Sequence, residues 1–147
     1  MLASFSIIDG IIATLTHSMS LALNVSQFTI FGIKDDSSEH LTKMNVDGDL
    51  AVISAFLKTE RAAIEEYEPA TACAKCIQHA ARNVQVSLEK IHAKIEVHEH
   101  MLLRYWYRAL CDNELDILWQ DMSRLKSDFA MLVRIMHLQG ACSTCRF

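Results

Sequence analysis

The chain has 147 residues, 51% of them hydrophobic, with a formal net charge of −4, one proline and four glycines. That length suits one domain with its own core, and so few breakers exclude a β-sandwich or barrel, which needs many turns. The 14 basic residues stand singly, so no patch is dense enough to neutralise a run of phosphates and no nucleic-acid partner is expected.

Residues 10–33 contain no Asp, Glu, Lys or Arg. Length alone would allow a membrane span, but Thr14, Thr16, His17, Ser18, Ser20, Asn24, Ser26, Gln27 and Thr29 dilute it. Ile8, Ile11, Ile12, Leu15, Met19, Ala22 and Leu23 fall at helical spacing, which predicts a core helix of a bundle; the competing reading is a helix that leaves the bundle and enters a bilayer. Asp9 and the lack of a basic n-region argue against a secretory signal. With five cysteines, an odd count, a reduced and cytoplasmic setting is expected.

Residues 34–48 are polar and predict a loop, with Asp47 or Asp49 as N-cap of a second helix. Leu50, Ile53, Leu57, Ile64 and Tyr67 form its stripe, and Pro69 is expected to stop it. A third helix follows, with Ile77, Ala80, Val84, Leu88, Ile91 and Ile95 at spacings of three and four, continued by His98, Leu102 and Trp106. A break is predicted near Cys111, with Asp112 or Asn113 capping the last helix. There Leu115, Leu118, Met122, Leu125, Phe129, Leu132 and Met136 keep a strict heptad, the pattern of a helix packed along a neighbour or an oligomer partner. Trp119 and Val133 widen that stripe and predict a second contact, and Gly140 is expected to end the helix. The fold class is therefore all-α: a four- to five-helix, mostly antiparallel bundle over residues 1–138 with a short tail at 139–147.

Two Cys-x-x-Cys pairs, Cys73/Cys76 and Cys142/Cys145, are the sharpest local signal. Together they could supply four thiolates to zinc, although their separation is far longer than in zinc ribbons. A thioredoxin-type role lacks its βαβ context, and the plainer expectation is inert thiols at helix ends with no cofactor. Glu89 and His92 make one Glu-x-x-His unit, but a di-iron bundle needs two, and Glu96 is followed by Glu99 rather than His. His98 reads as a hydrogen-bonded core histidine. Residues 104–108, Arg-Tyr-Trp-Tyr-Arg, are an aromatic-basic cluster of the kind found at interfaces, with Trp106 expected in the core. No nucleophile elbow, P-loop, dinucleotide fingerprint or zincin motif occurs, and no enzyme activity is expected.

Two segments carry a likeness to a known family. Residues 1–15 form an apolar opening rich in Ser, Ile, Leu, Ala and Gly. Residues 104–132 combine Trp106, Ala109 and Leu110 with Asn113, Glu114 and a Leu-rich helix holding Leu125 and Lys126. In both, and in the placing of 49–57, the chain resembles fungal N-terminal HeLo-like domains, which are distantly similar to the four-helix domain of the mixed-lineage kinase-like necroptosis executor. The resemblance implies an effector or adaptor that oligomerises in programmed cell death or incompatibility and disturbs membranes with its first helix. Ile7, Ile8, Ile11, Ile12 and Leu15 would then insert into lipid, and the cytoplasmic protein would relocate to membrane. The chain departs from that pattern at 31–33, which interrupt the first helix, and in its Cys-x-x-Cys pairs. The remaining expectations are an interaction module that binds a helical partner or a second copy without membrane activity, and a zinc-stabilised bundle.

Overall fold

The computed structural model describes the backbone of residues 6–30, 45–97 and 104–144 and the side chains of 6–25, 45–96 and 113–140. Every element there is helical: α1 (Ile7–Ile30), α2 (Val46–Thr59), α3 (Arg61–Glu66), α4 (Glu68–Val97) and α5 (Arg104–Thr144). The all-α bundle expected from the sequence is the fold.

Ser6 starts α1. Its hydroxyl accepts the Ile8 N–H at 3.1 Å, one of the donors a helix start leaves orphaned, and its carbonyl accepts the Gly10 N–H at 3.2 Å as the first intrahelical bond. Asp9 sits in the first turn, where a negative charge suits the helix dipole. The hydroxyls that dilute this helix partly satisfy themselves: Thr14 and Thr16 donate to the carbonyls of Gly10 and Ile12 at 2.9 and 2.8 Å. The buried stripe is Ile8, Ile11, Leu15, Ser18, Ala22 and Val25, a strict three-and-four alternation. It differs from the expected stripe beyond Leu15: Ser18 takes the buried seat, Met19 is half-buried and Leu23 is 51% exposed. Ser18 is small enough for close helix approach where Met19 is not.

The second stretch departs from the expectation at both ends. It begins at Val46, not after Asp47 or Asp49, and Asn45 precedes it in the left-handed region at φ 45° without a side-chain cap. Asp47 and Asp49 lie instead in the first turn, favoured there by the dipole. The run also breaks at Glu60, separating α2 from the short α3. Tyr67 is extended at φ −109° and ψ 109°, and Pro69 sits in the first turn of α4, where its missing N–H costs nothing. Leu50, Ile53, Leu57 and Ile64 are buried as expected.

Helix α4 is apolar on two adjoining faces, because it packs on α1 and on α5. All six residues of its predicted stripe are buried, with Ala70, Ala74, Ala81 and Ser87 beside them. Helix α1 lies between α2 and α4. Gly10 approaches Gln78 and His17 approaches Glu89, so α1 and α4 run in the same direction. Along α4 and α5 the pairs Ser87–Asp121 and Lys94–Glu114 run oppositely. The α4/α5 pair is thus antiparallel, while the non-sequential α1/α4 packing is parallel. On the α2/α5 side Phe56 stands edge-on to Phe129, centroids 5.3 Å apart, and Lys126 pairs with Asp49 at 3.4 Å.

Helix α5 overrides two predicted stops. It passes without interruption through 111–113, and it runs through Gly140 to Thr144. Asp and Asn cost only about 0.5 kcal/mol each inside a helix and glycine about 1 kcal/mol, whereas each buried Leu of the seam returns about 1.5–3 kcal/mol. Gly140 has no positive φ and open space around its Cα, so neither a left-handed turn nor a close approach fixes a helix end there. Residue 138 is therefore no boundary of secondary structure.

Candidate interaction surfaces

Three arrangements of side chains are candidates for function. The first is a cleft of about 500 Å³ at the start of α1, lined by Ser6, Asp9, Arg61, Glu65 and Thr71 among others. Its charges are committed to each other. Arg61 pairs with Asp9, and the Ser6 hydroxyl donates to Glu65. Thr71 donates to the Ile64 carbonyl at 2.8 Å. These contacts fasten the α1 start to α3, and α3 to α4. The five insertion candidates sit on this fastened helix: Ile8, Ile11 and Leu15 are at most 1% exposed, and Ile7 and Ile12 pack half-buried against the same core.

The second is the α4/α5 seam. Leu115, Leu118, Met122, Leu125 and Leu132 are buried, with Phe129 and Met136 packed half-buried against them. The heptad seam is thus spent inside the chain. Beside it runs a polar row that the sequence reading missed. The Ser87 hydroxyl donates to Asp121 at 2.5 Å, Lys94 holds Glu114, and the Cys73 thiol donates to the Asp128 carbonyl at 3.4 Å. Glu114, Asp121 and Asp128 lie seven residues apart, and Ser87 and Lys94 likewise, a spacing that could have exposed the row. Burial works to push the Glu114 carboxyl up, but hydrogen bonds from Lys94 and its own backbone, with the charges of Lys94 and Lys90, outweigh it and hold the group below its ordinary value. The Cys73 thiol is pushed up, first by burial and then by the neighbouring Cys76 and Asp128.

The third is the outer face of α5. Trp119 and Val133, expected to widen the seam toward a second helix, are 47% and 38% exposed. Ile117, Met131 and Leu138 are also exposed, and half-buried Ile135 stands between the latter two. Met131 and Leu138, seven residues apart, form a short apolar stripe on the outward side, with Ile135 at its inner edge against the core.

Of the four candidate zinc ligands, Cys73 is buried near the start of α4, where its thiol donates to the Asp128 carbonyl, and Cys76 is exposed one turn further on. The side chains of Cys111, Cys142 and Cys145 lie outside the described residues, as do His98, Leu102 and the aromatic-basic cluster at 104–108. Among the described residues no group of three or more His, Cys, Asp or Glu is placed to hold a metal. Glu89 instead faces His17 at 3.5 Å and accepts a hydrogen bond from Gln85 at 3.0 Å, and His92 faces Glu96 at 3.8 Å.

No family model, curated protein or solved structure matches the chain. Among the described residues no helix is long and apolar enough to cross a membrane.

Proposed function

We propose that the protein is a helical interaction module without catalytic chemistry, which self-associates by pairing the outer stripe of α5 with that of a second copy. One observation carries this reading: Met131 and Leu138 are 51% and 57% exposed on the helix whose other face is already filled. A stripe that pairs with itself about a two-fold axis is the commonest route to an oligomer, and helix-on-helix docking uses this spacing of anchors. Light scattering across a range of concentrations tests it. The mass is expected to rise toward the dimer, and Leu138→Glu to hold it at the monomer; a wild-type chain that stays monomeric throughout would refute the reading.

A second reading, the HeLo-like effector of programmed cell death whose first helix leaves the core for lipid, draws support from Ser18 and Ser54. Both are at most 2% exposed, and neither hydroxyl has a hydrogen-bond partner among the described residues. Buried orphan hydroxyls lower the cost of withdrawing α1, because water would satisfy them. Release would still forfeit the burial of Ile8, Ile11 and Leu15, about 1.5–3 kcal/mol each. Dye leakage from mixed-lipid vesicles tests it, with Ile11→Asp expected to abolish leakage in protein that circular dichroism shows to be folded. Unchanged leakage from the folded variant would remove α1 as the agent.

A further inference from the structure

Cys73 and Cys76 stand one turn apart near the start of α4, and they differ in access: Cys76 is exposed, whereas Cys73 is 9% exposed against α5. Residues i and i+3 of a helix share a face, with Cα atoms about 5 Å apart from the helix rise and radius. That falls inside the range of about 4.4–6.8 Å that a disulfide spans. Their Cβ atoms, about 5–6 Å apart in a regular helix, must draw in to about 3.5–4.5 Å. A local 3₁₀ tightening eclipses i and i+3 and supplies that movement. The pair lies in the second and third turns of α4, close behind the extended Tyr67.

We propose that Cys73 and Cys76 form a reversible dithiol modification site for low-molecular-weight disulfides of the glutathione class. The exposed Cys76 is the entry thiol. Its thiolate attacks one sulfur of the oxidised tripeptide, forming a mixed disulfide and releasing one glutathione thiolate, which takes up a proton. Cys73, giving up its proton to solvent, then attacks the Cys76 sulfur and releases the second glutathione thiolate. Two protein thiols are oxidised by two electrons in all, and one glutathione disulfide is reduced to two thiols. The buried position of Cys73 makes it the resolving thiol, because it reaches Cys76 along the helix face but is closed to a bulky disulfide. Ring closure also removes the S–H that Cys73 donates to the Asp128 carbonyl, so the modification loosens a contact between α4 and α5. The site depends on neither reading of the function given above.

The test uses the full chain, oxidised glutathione, alkylation of the remaining thiols and tryptic mapping. Lys75 lies between the two cysteines. The disulfide therefore shows as peptide 62–75 joined to 76–82, or as uncut 62–82 lighter by two hydrogens. Either product is expected, together with full return of both thiols on adding reduced glutathione. Cys73→Ser keeps a donor for the Asp128 carbonyl and should stop at a glutathione adduct on Cys76, with loss of the linked product. The proposal is overturned if wild type also stops at that adduct, if Cys76 stays alkylatable throughout, or if it pairs with Cys111, Cys142 or Cys145 instead.

Discussion

Replacing Ser18 by alanine should stabilise this protein, although the position is fully buried. Ser18 occupies a core seat in the α1 heptad, 0% exposed, and its hydroxyl has no partner among the described residues. An orphaned buried hydroxyl costs about 1–3 kcal/mol. Removing it leaves an oxygen-sized gap of roughly 15 Å³, which at ~24 cal/mol per Å³ returns only about 0.4 kcal/mol. Alanine is also the better helix former, by about 0.5 kcal/mol. The balance is a gain of about 1–3 kcal/mol, and in a chain of this size each kcal/mol raises Tm by about 2–4 °C. Thermal and urea unfolding of wild type, Ser18→Ala, Ser54→Ala and the double variant measure it. Two independent orphans predict additive gains. Destabilisation of Ser18→Ala by more than about 0.5 kcal/mol would refute the reasoning, and strong coupling in the cycle would show that the two hydroxyls satisfy each other.

Leu118→Ala, at a fully buried seat of the α4/α5 seam, should cost about 3–5 kcal/mol in urea unfolding; a cost below 1 kcal/mol would mean the seam is not packed as described. Lys94→Met strands the partly buried Glu114 carboxylate and should cost about 1 kcal/mol at neutral pH, discounted for the exposure of Lys94. Because the folded-state value of Glu114 lies below its ordinary one, the stability it contributes is fully present above the unfolded value of about 4.3 and is lost as pH falls through the folded value. The gap between wild type and Lys94→Met should accordingly narrow below about pH 4.5, and a gap that stays constant down to pH 3 would contradict the assignment.

Most of the core was legible in the sequence because it rests on side-chain period alone. The α4 stripe from Ile77 to Ile95 and the α5 heptad from Leu115 to Leu132 are buried where spacing puts them, Phe129 only in part. Helix ends were less legible, since Asp112, Asn113 and Gly140 carry local stop signals that tertiary burial outweighs. The Glu60 break has no breaker residue to announce it, whereas the left-handed Asn45 is of a type that visits that region readily. The width of the α5 stripe was partly legible, since the helix does meet both α4 and α2, while Trp119 and Val133 themselves stay partly exposed. A stripe shows which residues share a face, but how wide that face is depends on whether a third helix stands against it. The polar row was hard to see because the carboxylates of Glu114 and Asp121 look like a solvated face until α4 supplies Lys94 and Ser87 opposite them, and Asp128 joins it through its backbone carbonyl.

Self-association through the outer face of α5 is tested most directly by sedimentation equilibrium of wild type beside Met131→Glu/Leu138→Glu. Both changed positions are exposed, so the melting curve should move by no more than the ~0.5 kcal/mol typical of surface changes. The account predicts a dimer for the wild type and a folded monomer for the variant. A variant that remains dimeric with the wild-type association constant would contradict it.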